Sequence, residues 1–296
     1  MFKYQISSVL LFTCCLLIAQ SNTEVFVMDL EFSENNFNIK KIKNISNNPG
    51  YDSQSFFINN EQIVYARTYN NQTDITKYNL KDESQINLSE TKIGGEYSPQ
   101  KIPNSNYYTA VRFDTTGLQR LYKYDSKTKQ SSLLIENLQV AYYSFFDENR
   151  LLSSVLSGAN LDLVYSDISK KSNDTLLVKV GRSIHKVPNT INTMSYTSVN
   201  DEGNMDVYQL DISTLESFFV SQLPVGIQDH IWLDESTLLI GSLDKLFLLD
   251  LFGNGEWKLV ADLSKYNIKD ITRLAVNPDG SKLAMVAELK PEISNK

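Results

Sequence analysis

From residue 24 onward, apolar and polar positions alternate in short runs, the period of half-buried strands. No long stretch shows the 3.6-residue period of an amphipathic helix. One run recurs, an apolar-aromatic segment ending in Asp or Asn. Its copies are Val25–Asp29, Ile75–Asn79, Leu121–Asp125, Leu163–Asp167, Val207–Asp211 and Leu246–Asp250. Their mean spacing of about 44 residues matches the period of four-stranded propeller blades.

Two strands are predicted ahead of each later copy: Ser53–Ile58 with Gln62–Ala66, Ser98–Ile102 with Tyr107–Val111, and Ala141–Phe146 with Leu151–Val155. Ser183–Val187 with Thr193–Thr197 and His230–Leu233 with Thr237–Gly241 follow. Turn residues such as Pro103-Asn104 and Pro188-Asn189 separate the members of each pair. A fourth strand follows, as at Ser131–Ile135, Thr175–Val180, Phe218–Gln222 and Trp257–Ala261.

The two ends of the repeat are incomplete in complementary ways. Val25–Leu30 and Phe37–Lys43 are third and fourth strands with no first pair. Thr272–Val276 and Lys282–Ala287, joined by Asn277-Pro278-Asp279-Gly280, are a first pair with nothing after it. A lone hairpin is marginal in water. Pairing Lys282–Ala287 with Val25–Leu30 completes a sixth blade and leaves no open ring edge. The expectation is an all-β fold: a six-bladed propeller over 22–290, with 24–45 and 268–288 sharing the closing blade and 291–296 a polar tail.

Composition changes this picture at the N-terminus. Lys3 and the apolar run Val9–Ala19, with small residues at Ala19-Gln20-Ser21, read as a cleaved secretory signal over 1–21, a retained anchor being the alternative. Cys14 and Cys15 lie inside that run and are the only cysteines, so thiolate and disulfide chemistry leave with it. The net charge of −7, with no basic run, argues against nucleic acid as a partner. Export as a periplasmic or secreted monomer, with no integral membrane segment after cleavage, follows as the expectation.

Pro49-Gly50-Tyr51-Asp52, Glu96-Tyr97-Ser98-Pro99, Gly181-Arg182-Ser183-Ile184-His185 and Ile271-Thr272-Arg273-Leu274-Ala275-Val276-Asn277-Pro278-Asp279-Gly280 resemble bacterial TolB-like six-bladed propellers. The likeness runs over the whole mature chain. It implies binding proteins of the cell envelope more than any chemistry. The extra N-terminal α/β domain of the translocation protein in that group has no room here, so the resemblance implies no place in that system. Similar propellers precede the hydrolase domain of prolyl peptidases. The sequence has no Gly-x-Ser-x-Gly elbow, and peptidase activity is set aside.

First strands line a propeller's central channel, so polar residues near their starts are candidates for a binding site at its mouth. They are Asp52, Glu96, Tyr142, Arg182 with His185, Asp229 with His230, and Asp270 with Arg273. Solvation of a wet channel explains the same residues without a ligand. An oxygen cage for calcium from the four acids would support the alternative function, a metal-dependent hydrolase of the lactonase type. Their spacing matches no fixed motif, and Arg182 and Arg273 oppose a cation. His185 and His230 lack a third partner with zinc-ligand spacing. The leading expectation is therefore a non-enzymatic binding or scaffolding module without a cofactor, holding an envelope protein, a peptide or a small ligand.

Overall fold

The computed structural model describes residues 22–33, 36–114 and 117–290, so the expected signal and tail lie outside the described residues. The chain opens with β1 (Thr23–Ser33) and β2 (Asn36–Asn44). Blade 1 is β3 (Asp52–Phe57), β4 (Gln62–Tyr69), β5 (Gln72–Asn79) and β6 (Gln85–Asn87). Blade 2 is β7 (Gly95–Lys101), β8 (Tyr107–Phe113), β9 (Gln119–Asp125) and β10 (Ser131–Leu133). Blade 3 is β11 (Val140–Phe145), β12 (Arg150–Ser157), β13 (Asn160–Asp167) and β14 (Ser172–Leu177). Blade 4 is β15 (Val180–Lys186), β16 (Thr193–Val199), β17 (Met205–Asp211) and β18 (Ser217–Gln222). Blade 5 is β19 (Ile231–Trp232), β20 (Thr237–Ser242), β21 (Lys245–Asp250) and β22 (Lys258–Asp262).

The last two strands, β23 (Ile268–Val276) and β24 (Lys282–Leu289), complete blade 6 with the first two, in the order β2-β1-β24-β23. All six sheets are four-stranded and antiparallel, and the ring is the six-bladed propeller that the repeat predicts. The closing register pairs Val25 with Val286 and Asp29 with Lys282, whose ammonium lies 2.6 Å from the Asp29 carboxylate.

Alternation on these strands explains why the clasp holds. On β1, Val25 and Val27 pack with Ala284 and Val286 against Phe57, Ile63 and Tyr65 of blade 1. Phe26, Met28 and Leu30 face the other way, packing with Leu283 and Met285 against Leu239 and Leu246 of blade 5. Each fully buried side chain of this size contributes roughly 1.5–3 kcal/mol, so the seam outweighs the modest stability of an isolated hairpin. Where β20 meets blade 6, a Cβ on Gly241 would fall 2.2 Å from the Ile271 Cγ2, and only glycine permits that approach.

The recurring Asp or Asn is explained by the turn after it. The side-chain oxygen of Asn79 accepts from Lys81 N at 2.9 Å, that of Asp125 from Lys127 N at 2.8 Å, that of Asp211 from Ser213 N at 2.7 Å and that of Asp250 from Phe252 N at 2.9 Å. In these four blades an Asx turn starts the outer hairpin, a structural use rather than a chemical one, whereas in blade 6 Asp29 is paired with Lys282 and Lys41.

Among the strand bounds that differ from expectation, two have a cause visible in the backbone. The fourth strand placed at Thr175–Val180 is Ser172–Leu177, because Lys179 adopts φ 59° and Val180 already belongs to β15. The first strand placed at His230–Leu233 shortens to Ile231–Trp232, and the His230 backbone N–H bonds to the Ser183 hydroxyl instead of a ladder partner. Among the described residues no helix is long and apolar enough to cross a membrane.

Candidate functional site

The six first strands, β3, β7, β11, β15, β19 and β23, line one channel of about 830 Å³. A β-bulge interrupts the start of five of them, which re-aims the side chains that follow it. Tyr142, Arg182, His185, Asp229, His230 and Arg273 all border the channel.

At its inner end Arg182 grips Asp229 with two guanidinium nitrogens, Nε at 2.7 Å, while Arg273 Nη1 reaches the second carboxylate oxygen at 2.7 Å. Bidentate and shared bonds of this kind fix geometry as well as charge. One carboxylate thus serves two cations and leaves one positive charge uncompensated. The Arg273 guanidinium also lies 5.2 Å from the Tyr142 ring centroid. Arg182, Asp229 and Arg273 border a second space of about 130 Å³, so this cluster is the partition between the two.

Beside it runs a hydrogen-bond chain whose direction follows from where the Ser195 proton can go. Trp232 Nε1 can only donate, and it bonds to Ser195 Oγ at 2.7 Å. Among the described hydrogen bonds of Ser195, His230 Nε2 at 3.3 Å is the one group able to accept its hydroxyl proton, an assignment that makes Nδ1 the protonated nitrogen of a neutral ring. His230 Nδ1 donates to Ser183 Oγ at 3.2 Å, and Ser183 donates to His185 Nε2 at 2.9 Å. Burial makes both rings poor bases: His185 is pushed down to about 4, and His230 lies well below the usual histidine range. The pair, 5.0 Å apart between centroids, therefore adds hydrogen-bonding capacity and no charge at neutral pH.

The remaining predicted residues are elsewhere. Asp52 and Glu96 are fully buried in the seams between blades and do not border the channel. Asp52 accepts from the Asn48 amide at 3.3 Å and the Thr68 N–H at 3.2 Å, and Glu96 accepts from Tyr124 Oη at 3.0 Å. Asp270 adopts φ 51°, is exposed, and pairs only weakly with Lys269 at 3.6 Å. The convergence of all four acids at one mouth is thereby corrected: of the four, Asp229 alone borders the channel. Among the described residues no group of three or more His, Cys, Asp and Glu is placed to hold a metal ion, so the oxygen cage has no assembled counterpart.

Residues that the sequence reading passed over include Ser183, Ser195 and Trp232, which direct the histidines. Gln54 is another: its amide oxygen accepts the Ser98 N–H at 2.7 Å and ties blade 1 to blade 2. Tyr143 does the same for blades 2 and 3, donating to the Ser98 carbonyl at 2.8 Å.

No family model matches the sequence, and no curated protein resembles it in sequence. Solved structures share its fold. A chain assigned as TolB from Agrobacterium tumefaciens superposes with a TM-score of 0.70 at 11% identity, covering 91% of this chain and 99% of that one. TolB from Acinetobacter baumannii gives 0.59 at 10% identity, covering 90% of this chain and 64% of that one. A chain of a nidogen/laminin complex gives 0.59 at 10% identity, over 91% of this chain and 100% of that one. At such identities the likeness is one of fold, and the TolB-like propeller expected from the motifs is the fold observed.

Proposed function

We propose that the protein is a non-enzymatic binding module that holds a peptide, a segment of a partner protein or a small ligand inside the central channel. The observation that carries this reading is the channel itself. It offers about 830 Å³, a size suited to a ligand, and ends on fixed polar groups, Arg182, Asp229, Arg273 and the His185 pair. Polar groups that converge in a concave space orient a ligand, and among the described residues no cluster of His, Cys, Asp and Glu beside them is placed to hold a metal. Ser183, the serine nearest a histidine, is buried and engaged with His185 and His230. The apolar segment at Val9–Ala19 supports an exported, periplasmic setting for such a module. The TolB fold supports the reading only as a scaffold on which binding is a natural use.

Panning a random peptide display library against the purified protein tests it. Ser144 borders the channel, and Ser144→Trp would fill it without touching the polar cluster. Recovery of bound clones should fall tenfold or more in that variant at an unchanged melting temperature. Equal recovery would place binding outside the channel and end the proposal.

A further inference from the structure

A motif that the strand repeat does not explain occurs twice, as Lys101-Ile102-Pro103-Asn104 and Lys186-Val187-Pro188-Asn189. Each closes the first strand of its blade, and the Asn that follows the Pro turns the chain at φ 53° and 56°. Backbone register shows where the lysines fall. In each blade one N–H near the end of the first strand donates to the residue that opens the second: Ile58 to Gln62, Ile102 to Tyr107, Phe146 to Arg150, Val187 to Thr193, Leu233 to Thr237 and Asn277 to Lys282. The residues just before these donors form one level of the channel wall: Phe57, Lys101, Phe145, Lys186, Trp232 and Val276. The three aromatic side chains are buried between blades; the two lysines are not.

Neither lysine has a carboxylate partner among the described residues. Lys186 Nζ bonds to the Phe146 carbonyl at 3.3 Å and lies 4.7 Å from that ring's centroid. The wall of the channel carries Lys101, Arg182, Lys186 and Arg273 against Asp229 and Asp279. Asp229 is already shared by two arginines, and Asp279 turns into its own loop, accepting from Ser281 N at 3.0 Å and Asn277 Nδ2 at 2.8 Å. At the rim, Glu148 and Glu235 border no part of the channel and accept from the amides of Asn104 and Asn189 at 3.3 and 2.9 Å. A protein of net charge −7 thus encloses a cationic space.

The cations occupy two levels. Arg273 lies three residues before Val276 and Arg182 four before Lys186, so the arginine level is about 10 Å from the lysine level at roughly 3.3 Å per residue. We propose that the channel takes an extended acidic peptide segment, with carboxylates about 10 Å apart, one set at Lys101 and Lys186 and the other at Arg182 and Arg273. This rests on the channel-binding reading above and adds the chemistry of the occupant. An extended chain places side chains three residues apart at this distance, and a compact anion cannot span both levels. Lysines near the opening attract the leading acid, and the forked guanidiniums hold it.

Fluorescence anisotropy with labelled tetraglutamate, labelled tetraglutamine and citrate as competitor tests the inference. Tetraglutamate should bind at least tenfold tighter than tetraglutamine and weaken at least threefold from 50 to 200 mM salt. Lys101→Gln with Lys186→Gln should weaken it tenfold or more without lowering the melting temperature, and each single variant should give an intermediate loss. Equal binding of the two peptides, or an unchanged double variant, would overturn the proposal. Displacement by citrate at concentrations equimolar with the peptide would overturn its extended geometry. If Ser144→Trp abolishes capture of library peptides while tetraglutamate ignores the lysines, the channel reading stands and the acidic occupant falls.

Discussion

Two clusters of ionisable groups near the starts of first strands have opposite fates. In the seams on either side of blade 1 a unit of two acids and a serine occurs twice. Ser46 Oγ donates to Glu24 at 2.5 Å and accepts from Val25 N at 2.9 Å, with Asp52 close by. Ser89 Oγ donates to Asp74 at 3.0 Å and accepts from Ile75 N at 2.8 Å, with Glu96 beside it. Around Asp229, by contrast, two arginines share one carboxylate at the wall of an open channel. Backbone path decides the outcome. Asp52 and Glu96 precede a bulge and pair in register with Arg67 and Arg112, within the sheet, whereas Arg273 follows a bulge and Asp229 lies just ahead of the unbulged β19, and both of these border the channel. The seams hold carboxyls that resist ionising; the channel holds ions that resist separation.

The largest effect should come from breaking the channel cluster. Asp229→Ala leaves Arg182 and Arg273 facing one another with no counter-charge, in positions that are mostly shielded from water. A loss of about 3 kcal/mol is expected, since removing one partner of a shielded ion pair strands the other charge. A urea-unfolding midpoint that barely moves would mean that water already satisfies both arginines.

The seams should respond to pH instead. Burial pushes Asp52 up from 3.8 to about 6 and Glu96 from 4.5 to about 7, and burial raises Asp74 as well. A carboxyl that holds its proton more tightly when folded stabilises the protein fully below its unfolded value. That stability is lost as pH rises through the folded value. The seam acids should therefore subtract stability between about pH 4 and 7, on the order of 2–3 kcal/mol for Asp52 alone, while the buried neutral His185 and His230 add stability as pH rises toward the usual histidine value. Relative to the wild type, Asp52→Asn with Glu96→Gln should gain stability between pH 4.5 and 7.5, which urea midpoints at those two values would show. A double variant whose midpoint changes over that interval by the same amount as the wild type's would contradict the account.

The repeat made the ring legible because each blade must reproduce the same alternation, turn chemistry and clasp register. The pairing of Lys282–Ala287 with Val25–Leu30 follows from complementary half-units alone, and the structure adds its register. Site residues were legible only as a class. Residue type marks Asp52, Asp229 and Asp270 equally as polar starts of first strands, yet one is buried in a seam, one is clamped by arginines and one is exposed. What separates them is the local backbone path, with a bulge after Asp52, one at Asp270 and none in the strand that follows Asp229, and a register change of one residue moves a side chain to another face. The Ser183 and Ser195 contacts were invisible for a different reason: they join strands through space, across 47 and 35 residues of chain from His230.

The smallest and sharpest effect concerns the direction of the histidine chain. Ser195→Ala removes the proton donor to His230 Nε2 and the acceptor for the buried Trp232 indole N–H. An unsatisfied indole should cost about 1–2 kcal/mol. More diagnostic is the tautomer. With two histidines in the sequence, nitrogen-15 NMR of histidine-labelled protein resolves both rings, and His185→Gln assigns them. In the wild type both rings should carry their proton on Nδ1. In Ser195→Ala, His230 should shift toward the Nε2–H form, because nothing then donates to that nitrogen. Ser183 becomes free to turn its hydroxyl toward His230 Nδ1 and away from His185. A wild-type His230 already protonated on Nε2 would reverse the chain and show that Trp232 does not set its direction.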